Sequence, residues 1–191
     1  EVLKDPTVLQ EDIRSYLTEE NDYYKAMMGD TDALRTKLFE EMKNRFPQDD
    51  ASVPSPDGDY AYLRRFASGK PQPIFARTPR AGGTEEILLD PNPLAEGKAF
   101  YRIGEAGHSP DHKLFAYAVD EQGSEVWKIY VKDLATGEVL PQPVEDGHGG
   151  FTFSPDSQYL FWVWRAENGR PAKIFRRPVR GGAADDVLVY E

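Results

Sequence analysis

Ser109-Pro110-Asp111 is followed at 114–119 by an aromatic, β-rich run, and the same pattern occurs twice more in the sequence. The other copies are Ser55-Pro56-Asp57, before a run at 60–66, and Ser154-Pro155-Asp156, before a run at 159–164. A second signature, isoleucine followed by an aromatic residue, occurs at 74–75, 129–130 and 174–175. The first signature steps by 54 and 45 residues and the second by 55 and 45, so the two keep nearly the same spacing. A repeat of this length with several short strands is typical of β-propeller blades.

Each repeat has room for four short strands. We predict them at 51–53, 60–66, 73–78 and 85–89 in the first blade, at 100–106, 113–119, 127–132 and 138–140 in the second, and at 150–153, 159–165, 172–177 and 186–190 in the third. The Ser-Pro-Asp turns are expected to join the first and second strands of each blade, with Gly58 supplying a positive φ in the first copy. The large aromatic residues at strand spacing are predicted to form the core between blades; they are Tyr117, Trp127, Phe161, Trp162 and Trp164.

The first 46 or so residues predict helices instead. Asp5-Pro6 offers an N-cap followed by proline at the first helical position. Apolar residues then recur at helical spacing and form one stripe: Val8, Leu9, Ile13, Tyr16, Leu17, Tyr24, Met27 and Met28. Gly29 is expected to end this helix, Thr31 or Asp32 to begin a second, and Pro47 to prevent its continuation.

We therefore expect a helical segment at 1–47 and β-propeller blades 1–3 at 48–191. The predicted fold class is mostly β with N-terminal helices, comprising the first three four-stranded blades of a β-propeller. Most propellers have at least four blades, and a blade buries its faces against two neighbours. The chain is therefore expected to be part of a larger protein.

The composition excludes several classes of function. A net charge of −10, from 23 basic and 33 acidic residues, disfavours nucleic acid as a partner. No cysteine is present, which excludes disulfides, thiol catalysis and cysteine-ligated metals and fits a reducing compartment. No apolar run approaches the roughly 20 residues of a membrane helix, so no membrane partner is expected. The sequence opens with Glu1 and has no signal-peptide core, so an artificial or proteolytic start is expected.

Few residues carry recognisable chemistry. Gly107-His108-Ser109 matches the start of a Gly-x-Ser-x-Gly nucleophile elbow but lacks the final glycine, so we interpret it as a blade turn without a catalytic residue. His108 and His112 flank Asp111, but Pro110 disfavours a helix there, and we expect a solvated turn rather than a metal site. Neither a metal nor another cofactor is predicted.

The ordered motifs together resemble the prolyl oligopeptidase family of serine peptidases, and within it the oligopeptidase B branch. The resemblance covers essentially the whole chain, and the motifs that carry it lie at 85–90, 94–97, 108–111, 123–125, 131–137, 153–156 and 186–191. It implies a cytoplasmic enzyme that cuts short peptides after Arg or Lys. A seven-bladed propeller would then limit access to an α/β-hydrolase domain of the same chain.

In that family the catalytic triad and the carboxylates that recognise the basic side chain belong to the hydrolase domain, so no catalytic residue carries over to this sequence. The helical segment would pack on the hydrolase domain. Glu125, in Gly123-Ser124-Glu125, matches a carboxylate that pairs with an arginine of that domain near the substrate, and an exposed turn carboxylate is the alternative. His148 lies near a position that lines the substrate cavity, with a weaker local match.

Two other functions remain open at this stage. One is a non-enzymatic propeller that binds or scaffolds protein partners, and the other is an exopeptidase of the same superfamily that resembles acylaminoacyl peptidase. Whichever holds, the 191-residue chain is expected to be inactive as a peptidase by itself. It is also expected to self-associate, because an uncapped blade and an uncovered helix stripe expose apolar surface.

Overall fold

The computed structural model describes residues 8–191, and within them two helices precede the strands. Helix α1 spans Glu11–Met28 and helix α2 spans Asp32–Lys43, joined by the 3-10 turn Gly29–Thr31. The helix prediction is confirmed, whereas the N-cap predicted at Asp5-Pro6 lies outside the described residues. Gly29 follows the last residue of α1, as predicted, and its φ of −62° is right-handed.

The apolar stripe of the helices is exposed. No residue of α1 or α2 is buried, and Tyr16 on α1 and Phe39 on α2 are 61% and 57% exposed. No helix within residues 8–191 is long and apolar enough to cross a membrane.

The first blade is a four-stranded antiparallel sheet in the order β1-β2-β3-β4. Its strands are β1 (Ser55–Asp57), β2 (Tyr60–Arg65), β3 (Ile74–Pro79) and β4 (Glu86–Leu89). The innermost strand predicted at 51–53 is wrong in position, because only Ala51 forms a bridge there, to Arg65. The first Ser-Pro-Asp is itself strand β1, and the turn at 58–59 joins it to β2.

The second and third blades form one sheet of seven strands in sequence order. They are β5 (Arg102–His108), β6 (Leu114–Asp120), β7 (Trp127–Asp133), β8 (Val144–Phe153), β9 (Tyr159–Arg165), β10 (Pro171–Pro178) and β11 (Val187–Tyr190). The long β8 pairs with β7 through Val144 and Gly147 and then with β9 from Gly147 to Phe153, so it links the two blades. The fourth strand predicted for blade 2 at 138–140 is reduced to one bridge, from Lys132 to Val139. A short helix, α3 (Asn92–Ala95), lies between the first two blades.

The second and third Ser-Pro-Asp copies form the turns that the sequence predicts. Ser109 Oγ donates to Asp111 Oδ1 at 2.6 Å and accepts the N–H of Leu114 at 3.0 Å. Ser154 makes the same pair of bonds, to Asp156 at 2.5 Å and from Tyr159 at 2.9 Å. This serine bond is the largest cause of the lowered pKa of Asp156. Serine and aspartate therefore close each turn onto the start of the next strand.

The residue after each Ser-Pro-Asp takes a left-handed conformation, with φ of 53° at Gly58, 60° at His112 and 60° at Ser157. The predicted role of Gly58 is confirmed. Four of the five predicted aromatic residues belong to the hydrophobic clusters of the blades: Tyr117, Trp127 and Trp162 are buried there and Trp164 packs against them. Phe161 is half-buried and belongs to neither cluster.

Candidate functional site

The turn that carries Glu125 is built around a buried carboxylate. Asp120 ends β6 and is only 2% exposed. Its Oδ1 accepts the N–H groups of Gln122 and Gly123 at 2.9 Å each, and its Oδ2 accepts the N–H of Glu125 at 2.8 Å. A weaker contact of 3.4 Å joins Oδ1 to the N–H of Ser124. One side chain therefore fixes the path of the backbone from 122 to 125.

Glu125 itself has a φ of 57°, in the left-handed region that residues with a Cβ seldom adopt. Such a conformation persists where surrounding contacts over-determine it. Besides Asp120, the turn is held from the third blade, where Arg165 Nη1 donates to the Ser124 carbonyl at 2.7 Å. The Glu125 carboxylate is exposed and makes no hydrogen bond or ion pair within residues 8–191. The turn therefore presents a carboxylate without a partner in the described part of the chain.

His148 lies at the same end of the sheet as Glu125. It sits in β8 next to Gly147, and Gly147 pairs with Trp127, two residues after Glu125. The strand is irregular here, since Gly149 has a φ of 103° and a Cβ on it would lie 3.1 Å from the Trp127 ring. The His148 side chain is exposed. The structure thus brings the two predicted positions to one rim of the blades, on neighbouring strands.

A second group of polar residues meets at the opposite end of β6. Asp57 Oδ2 lies 2.9 Å from His108 Nε2, and one ligand atom each of Asp57, His108 and His112 lies within 4.8 Å of the others. The hydrogen bond to His108 is the largest cause of the lowered pKa of Asp57. Sequence reasoning considered Asp111 with the two histidines, but Asp111 is bonded to Ser109, and Asp57 takes that place. No local sequence signal predicts the pairing of Asp57 with His108, because the two residues are 51 positions apart.

The 191 residues match known proteins along nearly their whole length. A model of the N-terminal β-propeller domain of prolyl oligopeptidase matches residues 3–191. The chain is 34% identical to dipeptidyl aminopeptidase BI of Pseudoxanthomonas mexicana, over 99% of this chain and 28% of that protein. It is 30% identical to protease 2 of Moraxella lacunata, over 94% of this chain and 27% of that protein. The chain thus spans little more than a quarter of the length of these relatives.

Solved structures give the same relationship. Oligopeptidase B from Leishmania major superposes with a TM-score of 0.88 at 30% identity, over 99% of this chain and 27% of that one. Oligopeptidase B from Trypanosoma brucei, in a closed form with covalently bound antipain, superposes with a TM-score of 0.84 at 27% identity, over 98% of this chain and 27% of that one. Since the family model spans nearly all of the sequence and the blades superpose on these structures, the chain belongs to the prolyl oligopeptidase family and corresponds to its N-terminal β-propeller domain.

Proposed function

We propose that this chain is the N-terminal section of a serine oligopeptidase that cleaves short peptides after Arg or Lys. The observation that carries the proposal is the match to protease 2 and to oligopeptidase B over at least 94% of the chain. In this proposal the catalytic triad belongs to an α/β-hydrolase domain outside the 191 residues. A cytoplasmic location is proposed on the family resemblance alone.

Two surfaces of the chain are assigned to that hydrolase domain. The first is the exposed stripe on α1 and α2, within the proposed helical segment 1–47, which would be covered when the helices pack on the domain. The blades at 48–191 would limit the size of peptide that reaches the site. Apolar side chains such as Tyr16 and Phe39, which are 61% and 57% exposed, support a covering partner because burying apolar surface stabilises the bound state.

The second surface is the turn with Glu125. An exposed carboxylate on a rigid turn is suited to pair with an arginine of the facing domain, and the ordered contacts from Asp120 and Arg165 hold it in place. If that arginine also contacts substrate, Glu125 acts as a positioning residue. His148, exposed on the same rim, is assigned to the wall of the substrate cavity.

The test measures hydrolysis by the protein in its natural full length. Amino-blocked peptides ending in Arg, Lys, Ala or Pro before a fluorogenic coumarin are compared at equal concentration. Efficient cleavage after Arg and Lys, abolished by a fluorophosphonate that modifies the active serine, is the expected result. Cleavage after Pro or Ala alone would refute the basic specificity, and the absence of any cleavage would favour a binding module instead.

Dipeptidyl aminopeptidase activity is the second candidate, because the relative of that name is 34% identical over 99% of the chain. This activity takes the place of the exopeptidase resembling acylaminoacyl peptidase as the alternative function, because a specific sequence similarity supports it. An enzyme that removes dipeptides from the amino end needs a free amino group on its substrate. Hydrolysis of unblocked dipeptide coumarins together with rejection of the amino-blocked series would establish this second function.

A further inference from the structure

The seam between the first two blades carries a cluster that we call the seam cluster: Asp57, His108 and His112. Asp57 ends β1 of the first blade, His108 ends β5 of the second, and His112 lies in the turn before β6. Their ligand atoms lie within 4.8 Å of one another, and the described residues hold no other such group of three. Two imidazoles and a carboxylate are a donor set that divalent zinc prefers.

Tyr62 orients both imidazole rings of the seam cluster. Its hydroxyl lies 2.7 Å from His112 Nδ1, and its ring stacks on His108 with centroids 3.6 Å apart and planes 4° from parallel. When Nδ1 of His112 donates its proton to this hydroxyl, the lone pair of Nε2 is available to an ion. Metal-binding histidines characteristically use their second ring nitrogen in such a hydrogen bond, which fixes the tautomer and the ring orientation.

The backbone leaves room around His112. A Cβ on Gly58 would lie 2.4 Å from His112 Nε2, so only glycine leaves this ring in its place. Two guanidinium groups lie close to the His112 turn. Arg77 donates to the His112 carbonyl and is neutralised by Glu86, whose carboxylate accepts its Nε at 2.8 Å, and Arg80 donates to the Gly58 carbonyl at 2.9 Å. The positive charge of Arg77 is therefore already paired.

The next seam of the same protein provides an internal comparison. The equivalent positions between blades 2 and 3 are Asp111, Ala116, Phe153 and Ser157, in place of Asp57, Tyr62, His108 and His112. There the carboxylate closes its own turn, and Ser157 Oγ simply accepts the N–H of Asp111 at 3.1 Å. The equivalent turns that carry His112 and Ser157 thus contribute to three metal-ligating groups in one seam and to an ordinary hydrogen bond in the other.

We propose that the seam cluster binds one divalent transition-metal ion, with zinc as the representative, through Asp57, His108 and His112. Bonds of about 2.0–2.2 Å in a tetrahedron place ligand atoms about 3.3–3.6 Å apart, so small side-chain rotations from the present positions suffice. Water completes the coordination. Since the ligands come from two blades, the ion cross-links them and stabilises their packing, and it lies at the opposite end of β6 from Glu125.

The test uses the untagged protein in its natural full length, with zinc chloride as the probe. Equilibrium dialysis counts bound ions and measures Kd, and thermal unfolding is followed with and without zinc. Relative to wild type, His108→Gln and Asp57→Asn are expected to lose one bound ion and the rise in Tm that zinc causes. Asp57→Asn keeps the fold, because this side chain is 61% exposed.

Matched controls separate the cluster from general zinc binding. His148→Gln removes the remaining histidine of the chain, and Asp111→Asn changes the equivalent carboxylate of the next seam; both are expected to keep the ion and its Kd. Tyr62→Phe keeps all three ligands but is expected to weaken binding about 10–100-fold, as loss of a ligand-orienting hydrogen bond does.

The proposal is overturned if His108→Gln and wild type bind the same number of ions with the same Kd. It is also overturned if the cluster variants lower Tm equally in the presence and absence of zinc, since the cluster would then be a hydrogen-bonded contact between blades. Cobalt provides an independent readout, because the visible absorption of a cobalt–imidazole site must disappear in His108→Gln and persist in His148→Gln.

Discussion

Replacing Asp120 with alanine removes the acceptor that shapes the Glu125 turn. Three backbone N–H groups lie 2.8–2.9 Å from its carboxylate oxygens, and Asp120 is 2% exposed. A hydrogen bond to a charged group contributes about 1.5–3 kcal/mol to stability, so three such bonds contribute at most about 9 kcal/mol. The donors belong to exposed residues and regain water in the variant, so we expect a net loss of about 2–3 kcal/mol in the free energy of unfolding.

The assay is urea-induced unfolding of the 191-residue chain, followed by circular dichroism, with thermal unfolding beside it. For a chain of this size a loss of about 2–3 kcal/mol lowers Tm by roughly 4–12 °C. Asp120→Asn, which keeps one acceptor oxygen of two, is expected to fall between wild type and Asp120→Ala. The control is Glu121→Ala: Glu121 pairs with Lys98 in a half-exposed ion pair, whose removal costs about 0–1 kcal/mol.

A result within about 0.5 kcal/mol of wild type for Asp120→Ala, the range of ordinary surface substitutions, would refute this account of the turn. In the full-length protein the same variant also reports on Glu125. If the turn positions the Glu125 carboxylate, Asp120→Ala and Glu125→Ala are expected to lower kcat/KM for basic peptides by similar factors, and their effects should not add.

Three further predictions concern Glu125 and the isolated 191-residue chain. Glu125→Ala in the full-length protein is expected to lower kcat/KM for Arg- and Lys-containing peptides about tenfold, roughly 1.4 kcal/mol of transition-state stabilisation, while Glu121→Ala stays near wild type; equal small effects would make Glu125 a surface charge. The 191-residue chain alone is expected to give no turnover of an amino-blocked Arg coumarin, and turnover that a fluorophosphonate abolishes would contradict this. At micromolar concentration the same chain is expected to sediment as dimers or larger species because the α1 and α2 stripe is exposed, and a monomer with little dye-accessible apolar surface would contradict it.

The second strand of every blade was predictable from the sequence. The runs at 60–66, 113–119 and 159–165 correspond to β2, β6 and β9 within one residue at either end, because aromatic and β-branched residues follow a strong turn signal there. The first strand of blade 1 was predicted at the wrong position because the three Ser-Pro-Asp copies do not adopt the same structure. In the second and third copies the serine side chain bonds the aspartate and the triplet forms the turn, whereas Ser55-Pro56-Asp57 pairs directly with β2 and residues 58–59 make the turn.

The candidate site was predictable only where a motif names a residue. Glu125 is a candidate because it resembles a family motif, and its role stays a prediction. Asp120, which holds its backbone, was not recognised, although aspartate before a glycine-containing turn is a known signal for backbone capping. The cluster of Asp57 with His108 could not be found from spacing, since it forms only when two blades pack side by side.

The position of these two groups on β6 makes their roles separable. The seam cluster lies at the Leu114 end of β6 and the Glu125 turn at the Asp120 end. The length of this seven-residue strand, about 20 Å, separates them. Sites this far apart that share no partner usually contribute independently to stability. Loss of the metal ligands is therefore expected to change zinc binding and Tm without the selective loss of kcat/KM that Glu125→Ala produces. If the two proposals are independent in this way, each can fail while the other stands. A change in basic-peptide specificity on zinc removal would instead require that a change in the packing of blades 1 and 2 alters the opposite end of β6.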